Sequence, residues 1–284
     1  MYNNIGDATM NTIFLCNKCG NILNISKFDI IHKTISCNCG ERITIENSYP
    51  SLQANDLIFS ADSIYNQCIE QDQKCKDKYK LWLRKTNVTI EKDKINVSIQ
   101  IYDKIRENYK DNDRNENTIM FDELEKELQK QGFNDIQIDG ISSALYVGMN
   151  NQMRKPFIII CASVIEILFN DFFNCLINCT FKDNGAKILK KQYSKIGVSQ
   201  CIIIANGFLN NLLDSKVNSI SKDFMSRWEK LRNFRNEIIH NNSTYITRQA
   251  VEDNFNLLNE SIKVFSNLKS NILSNKYNNV QKVL

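Results

Sequence analysis

The most apolar part of the chain is PFIIICASVIEILFNDFFNCLINC, which runs from Pro156 to Cys179. This stretch predicts one long helix, beginning either at Pro156 or earlier, near Ser142. Apolar side chains cover most of its circumference, as in a helix at the centre of a domain. A polar stripe at helical spacing interrupts them, and its members are Ser163, Glu166, Asn170 and Asn174. The chain is therefore expected to build a helical core around this segment.

Helical patterns continue from this segment to the end of the chain. The next part predicts one or two shorter helices that break near Gly197 and Gly207. A further helix is predicted from Phe224 to His240, and a last one from about Thr247. We therefore predict an all-α bundle over residues 140–284. The last helix has one apolar face, formed by Val251, Phe255, Leu258, Ile262, Phe265 and Ile272.

Residues 51–139 form a middle segment that is helical but of unclear fold. Helices are predicted from Asp56 to Lys85 and from Lys94 to Tyr109. Residues 107–117 have few apolar side chains and predict a loop, and a short helix that follows is expected to stop at Gly132. Few prolines and glycines occur in the whole chain, 2 and 9 respectively, which favours helices over sandwiches and barrels.

Four cysteines near the N-terminus, in residues 1–50, have the spacing of metal ligands. They form two tight pairs, each followed by a glycine that lets the backbone amides turn toward the thiolates. Short alternating segments flank the pairs and predict strands. We interpret this part as a zinc ribbon with one structural zinc ion, and His32 between the pairs is off their spacing. The predicted ligands are Cys16, Cys19, Cys37 and Cys39.

The sequence does not decide whether the ribbon or either of two basic segments binds a partner. The ribbon either docks on the protein or recognises nucleic acid or a protein trigger. The lysine-rich segments are either solvated helix faces, with Trp82 in the core, or surfaces for an RNA backbone. The basic residues and their aromatic neighbours are Lys74, Lys76, Lys78, Tyr79, Lys80, Trp82, Arg84 and Lys85, and then Lys187, Lys190, Lys191 and Lys195.

Charge and composition permit a polyanionic partner without requiring one, since the net charge is +4. No basic start followed by an apolar run opens the chain, so we expect no signal peptide. The run from Phe157 to Phe169 carries Glu166 and is too short to span a bilayer, and no membrane association is expected. We therefore expect a cytoplasmic protein, whose other six cysteines are buried thiols.

One of the two histidines ends the predicted helix that begins at Phe224. On a helical wheel Arg235 falls about 20° from Phe224, inside the buried stripe, where a charge needs a partner such as Glu166. Asn236 and His240 lie together on another face, at about 120–160°. Arginine, amide and imidazole together suit phosphodiester chemistry. Because Arg235 and His240 diverge on a straight helix, either the helix loosens or a second chain completes the site.

These features resemble a HEPN domain over residues 140–275. The resemblance rests on the apolar helix with an embedded Glu166, on the amphipathic last helix and on the motif in LRNFRNEIIH, residues 231–240. It implies a HEPN-like bundle with catalytic Arg235, Asn236 and His240, and with Glu166 either in the site or in a structural ion pair. It also implies an endoribonuclease that needs no catalytic metal, is a homodimer with a shared cleft and acts as a toxin or in phage defence.

Three other interpretations remain open from the sequence. In the first, the protein is a non-catalytic sensor or adaptor, which binds nucleic acid or a partner and dimerises through the helical domain. In the second, Arg235 forms a buried ion pair with Glu166, and His240 only caps its helix. A zinc-ribbon transcription regulator is a third class, but no helix-turn-helix pattern is evident.

Overall fold

The computed structural model describes residues 13–24, 35–44, 48–85, 90–109, 114–148, 151–181, 183–210, 212–241 and 245–281. Most of the described residues are helical, and short strands occur only near the N-terminus of this part of the chain. The predicted class, a mainly α protein with a helical bundle and a small N-terminal β region, is therefore confirmed.

The helices of the described residues follow the predicted pattern closely. They are α1 (Leu52–Lys85), α2 (Lys92–Arg106), α3 (Arg114–Lys130), α4 (Asp135–Gly148), α5 (Arg154–Thr180), α6 (Asp183–Tyr193), α7 (Val198–Phe208), α8 (Leu213–Asn218), α9 (Phe224–Asn241) and α10 (Arg248–Gln281).

Some boundaries differ from those predicted. The loop expected over residues 107–117 is too long, because α3 already begins at Arg114. Ser142 belongs to the separate helix α4, so the central helix α5 begins at Arg154. The breaks predicted near Gly197 and Gly207 are present, because Gly197 directly precedes α7 and that helix ends at Phe208, one residue after Gly207.

The strands are β1 (Ile13–Cys16), β2 (Ile22–Asn24), β3 (Ile35–Ser36), β4 (Arg42–Ile43) and β5 (Ser48–Tyr49). Strand β1 lies between β2 and β5 in an antiparallel sheet, with Phe14 opposite Leu23 and Leu15 opposite Tyr49. Strands β3 and β4 form a separate antiparallel pair. These short strands carry the two cysteine pairs on their connecting turns.

The chain divides into two compact units, each assembled from distant segments. The first comprises residues 1–62, 160–230 and 256–284, and the second comprises residues 63–159 and 231–255. The division of the sequence into segments 1–50, 51–139 and 140–284 stays a prediction.

The core of the first unit contains a cluster of aromatic rings from α5, α9 and α10. Trp228 of α9 lies 5.4 Å from Phe169 and 5.9 Å from Phe265, measured between ring centroids. Phe224 lies 5.8 Å from Phe265 in an edge-to-face arrangement. All four side chains are buried. Aromatic pairs in such geometry add to the stabilisation from burial, so the first turns of α9 are firmly held.

The second unit has its own apolar core, built mainly from α1 to α4. Tyr79 of α1 is fully buried, and its hydroxyl shares a 2.8 Å hydrogen bond with Ser98 of α2. The buried members of this core are Cys75, Tyr79, Leu83, Tyr102, Ile105, Met120, Leu124, Leu128, Phe133, Ile138, Ile141, Ala144 and Leu145.

Helix α5 is longer than the apolar run from which it was predicted. Its 27 residues make it, among the described residues, the one helix long and apolar enough to cross a bilayer by length and composition. In its most apolar window, however, 56% of the residues are buried inside the protein. The core helix of a water-soluble protein shows the same combination, which agrees with the central position predicted for this segment.

Replacing Phe265 by alanine tests the importance of the aromatic cluster. We expect Phe265→Ala to lower the free energy of unfolding by about 3–5 kcal/mol, because a buried ring is lost and a cavity remains. Urea denaturation followed by tryptophan fluorescence measures this change. Ile203→Ala is the control, because Ile203 is 70% exposed and its removal should have little effect. Equal losses from the two changes would contradict the proposed core.

Candidate functional site

The four predicted metal ligands lie together in the first unit. The sulfur atoms of Cys16, Cys19, Cys37 and Cys39 are all within 4.8 Å of one another. The sulfur of Cys16 is 3.7 Å from that of Cys39, and the sulfur of Cys19 is 3.5 Å from that of Cys37. A tetrahedral metal with sulfur ligands at ~2.3 Å requires sulfur atoms about 3.8 Å apart. The four thiols could therefore bind a metal ion.

The backbone of each cysteine pair turns back on itself in the predicted way. The amide of Gly20 donates a 2.9 Å hydrogen bond to the carbonyl of Cys16, and the amide of Gly40 donates a 2.8 Å bond to that of Cys37. Both glycines have a positive φ, +78° and +83° respectively, which side chains disfavour. The shorter spacer between Cys37 and Cys39 is thus accommodated by the same kind of turn.

The electrostatic environment of the thiols explains why a cation would be favourable here. Burial raises the pKa of Cys16, and it raises the pKa of Cys19 to about 12. Burial also acts to raise the pKa of Cys37, but hydrogen bonds from the Cys39 amide and from neighbouring thiols lower it to about 7. Several adjacent thiolates repel one another, and a bound metal cation compensates their charge.

The first cysteine pair docks on the C-terminal helix α10. Ser270 of α10 donates a hydrogen bond of 2.5 Å to the carbonyl of Gly20, and Ser274 donates one of 3.1 Å to that of Cys19. Gly20 is buried, and a β-carbon added to it would lie only 2.5 Å from the Ser270 carbonyl oxygen. The first cysteine turn is therefore packed on α10, and the role of the ribbon in recognition stays a prediction.

The predicted catalytic residues lie in the last turns of α9. Arg235 is half-buried, and its Nε and Nη2 atoms donate hydrogen bonds of 3.4 and 3.2 Å to the Oδ1 atom of Asn236. Asn236 and His240 are both exposed. The carboxamide of Asn236 therefore contacts the Arg235 guanidinium. Arg235, Asn236 and His240 thus lie within two turns of one helix, and these residue types can neutralise an oxyanion and move a proton.

Glu166, the fourth predicted site residue, is half-buried on α5. It belongs to the first unit, whereas Arg235 belongs to the second. The pairing of Glu166 with Arg235 therefore stays a prediction, in both its structural and its catalytic form.

The basic segments are only partly described. On α6, Lys187, Lys191 and the following Lys195 are exposed, and Lys190 is half-buried. On α1, Tyr79 is buried in the core, so it is not available to stack on a base. The side chain of Trp82, like His32 of the ribbon, lies outside the described residues. On α1, Lys74, Lys78, Arg84 and Lys85 are exposed, so a phosphate-binding role of either basic segment stays a prediction.

Sequence reasoning missed a buried ionic network in the second unit. Arg154 is only 3% exposed and donates hydrogen bonds of 3.1 and 2.7 Å to Oδ1 of Asp72, and one of 2.8 Å to the Ile246 carbonyl. Its Nη1 atom also lies 3.4 Å from Oδ1 of Asp103, which accepts a 2.6 Å bond from the Tyr245 hydroxyl. Burial, followed by the nearby Asp103 charge, raises the pKa of Tyr245 well above its ordinary value.

This network lines a cavity of about 700 Å³. Because the guanidinium of Arg154 is satisfied by protein groups, we interpret it as an anchor for the start of α5. One feature of the sequence could have indicated this network. Arg154 is a cation in the first turn of an apolar helix, where the helix dipole is unfavourable for it, so it needs a carboxylate partner.

Substitution of the two ribbon glycines tests the docking on α10. Gly40→Ala should cost about 1–2 kcal/mol from backbone strain alone, because no atom lies within 4 Å of the new β-carbon. Gly20→Ala should cost more, since the same strain is combined with a clash against the Ser270 carbonyl. Chemical denaturation measures the loss of stability in each variant. Limited proteolysis should release the N-terminal part faster in Gly20→Ala than in Gly40→Ala. Equal behaviour of the two variants would show that the docking is unimportant.

Comparisons with known proteins find no protein-family model, no curated protein sequence and no solved structure that matches the chain. The resemblance to HEPN domains therefore rests on the quoted residues, and membership of that family stays a prediction.

Proposed function

We propose that this protein is an endoribonuclease in which Arg235, Asn236 and His240 carry the chemistry. The observation that supports this most is the contact between the Arg235 guanidinium and Asn236, close to an exposed His240 at the end of one helix. A guanidinium held in place by a neighbouring amide is prepared to receive a phosphate, and an exposed imidazole can reach a ribose hydroxyl.

The proposed reaction is attack of a ribose 2′-hydroxyl on the adjacent phosphorus. The bond from O2′ to phosphorus forms, and the bond from phosphorus to the 5′-oxygen breaks. One imidazole accepts the 2′ proton, and the leaving 5′-oxygen takes up a proton from a general acid. The products are a 2′,3′-cyclic phosphate and a 5′-hydroxyl. In this scheme Arg235 stabilises the additional negative charge on the phosphoryl oxygens.

A second copy of the chain is part of the proposal. Each chain contributes one histidine, His240, to the motif, whereas the reaction uses both a base and an acid. A symmetric homodimer brings two copies of the His240 segment to its axis, so that one imidazole can accept a proton while the other donates one. Ile239, beside His240, is 55% exposed, which gives this end of α9 an apolar residue for such a contact.

We assign zinc to the four cysteines, with a structural role. Four thiolates complete the coordination of a zinc ion and leave no position for water or substrate. The metal would hold the two turns together and so maintain the surface that docks on α10. The RNA chemistry in this proposal is carried by protein side chains.

The biological role follows from the chemistry. A cytoplasmic nuclease that cleaves RNA must be restrained in the cell, so a toxin or phage-defence effector fits better than a housekeeping enzyme. The exposed lysines of α6 would attract the RNA backbone, and the N-terminal half would receive a nucleic-acid or protein trigger. A non-catalytic adaptor is the competing function, and the cleavage experiment distinguishes the two.

Metal analysis tests the zinc assignment. We expect one zinc ion per chain in the purified protein, and much less in Cys37→Ser, because a four-thiolate site loses affinity with each ligand. Plasma mass spectrometry measures the content. Cys201→Ser is the matched control, since this buried cysteine of α7 is no part of the cluster. A metal content that responds equally to both changes would contradict the assignment.

Cleavage of a labelled RNA tests the nuclease. His240→Ala should lower the cleavage rate by about 100-fold or more, because proton transfer is lost. Arg235→Lys should retain partial activity. Lysine keeps the positive charge but lacks the planar guanidinium group, which can contact Asn236 and a phosphate at the same time. The fragments should end in a 2′,3′-cyclic phosphate, identified by mass spectrometry.

The control for this experiment is Asn233→Ala, a change at an exposed residue earlier on α9. It should leave cleavage unchanged. If His240→Ala cleaves RNA as fast as the unmodified protein, the mechanism is wrong, and the adaptor function becomes the better explanation.

A further inference from the structure

A cavity in the first unit is lined by a largely buried lysine side chain that the proposed nuclease does not use. Lys269 of α10 is 8% exposed and lines a cavity of about 440 Å³. Its Nζ atom lies 4.3 Å from the centre of the Tyr49 ring, a cation–π contact. Among the described residues, no hydrogen bond or ion pair is made by this ammonium group. A buried cation normally has such a partner.

The same cavity is lined by a carboxylate, that of Asp171 on α5. Its Oδ2 atom accepts a 3.3 Å hydrogen bond from the Ser51 amide, which fixes the side chain. Within the described part of the chain, Asp171 and Lys269 form no ion pair with each other. Burial lowers the pKa of Lys269, while Cys175 and Asp171 act to raise it. The cavity thus presents two opposite charges that attract each other across space without direct contact.

The rest of the lining is rich in amide groups. Asn174 and Asn178, one helical turn apart on α5, and Asn17 of the first cysteine turn all border the cavity. Carboxamides both donate and accept hydrogen bonds, so they suit a polar ligand of either charge. The volume lies within the range of about 300–1,000 Å³ that is usual for small-molecule pockets.

We propose that this cavity binds a small zwitterion of the α-amino acid class. The ligand carboxylate would pair with the ammonium of Lys269, and the ligand ammonium would pair with Asp171. A simple anion would satisfy Lys269 but would be repelled by the Asp171 carboxylate, and a simple cation would have the converse difficulty. A molecule that carries both charges gives Lys269 and Asp171 each an oppositely charged partner at the same time.

The position of the cavity gives ligand binding a structural consequence. Asn17 lies between Cys16 and Cys19, and Lys269 immediately precedes Ser270, which holds Gly20 by a hydrogen bond. A bound ligand would therefore connect the first cysteine turn, α5 and α10. It should stabilise the docked form of the ribbon, because ligands stabilise the state that binds them.

Thermal unfolding with defined probes tests this site. L-Glutamine, L-serine and glycine at equal concentration should raise the unfolding temperature of the unmodified protein. Acetate, methylammonium and inorganic phosphate should raise it much less, because each satisfies only one of the two charges. Titration calorimetry then gives the affinity of the best amino acid.

Two variants and a matched control complete the experiment. Lys269→Met and Asp171→Asn should each weaken amino acid binding by about tenfold or more, because one of the two charges of the ligand loses its partner. Lys263→Met changes an exposed lysine of the same helix and should leave binding unchanged. If Lys269→Met unfolds, Asp171→Asn and the calorimetry of the unmodified protein still decide the matter.

The proposal is overturned if none of the three amino acids binds. It is also overturned if acetate or phosphate stabilises the protein as strongly as the amino acids, since the cavity would then be a simple anion site. Binding that survives both Lys269→Met and Asp171→Asn would place the ligand elsewhere. The nuclease proposal does not depend on any of these outcomes, because RNA cleavage is measured separately.

Discussion

The packing of Trp228 and Phe224 against Phe265 is the interaction on which the rest of the structure depends. These buried rings join α9 to α10 and, through Phe169, to the central helix α5. Burial of large aromatic surfaces is the main source of stabilisation in such a core.

A second constraint is the close approach of Gly20 to α10. Gly20 follows Cys19 of the cysteine cluster. It is packed so tightly on the backbone of Ser270 that a side chain at position 20 would clash. The cluster that could bind a metal ion and the packing on α10 therefore involve the same turn. Lys269, next to Ser270, lies in the neighbouring cavity, so the ribbon, α10 and the proposed ligand site share one region of the first unit. A structural change in the ribbon, in α10 or in the proposed ligand site should therefore alter the other two.

Periodicity and spacing predicted most of the fold, because helices and metal ligands are specified by residues close in sequence. The pairs Cys16–Cys19 and Cys37–Cys39 are local, and the apolar repeats of α5 and α10 are equally plain. Contacts between distant residues could not be found in this way: Gly20 meets Ser270, and Arg154 meets Asp72 and Asp103. For the candidate site, the sequence indicated which residues to consider, but the hydrogen bonds from Arg235 to Asn236 depend on rotamers that no pattern reveals.

The central claim is that two chains together provide the imidazole and guanidinium groups of one RNA-cleaving site. The most direct measurement mixes unmodified chains with chains that carry both Arg235→Ala and His240→Ala, and follows RNA cleavage after subunit exchange. If one cleft needs both motifs, a mixed dimer is inactive, and activity falls with the square of the unmodified fraction. Activity that falls only in proportion to that fraction would show that each chain acts alone and would contradict the account.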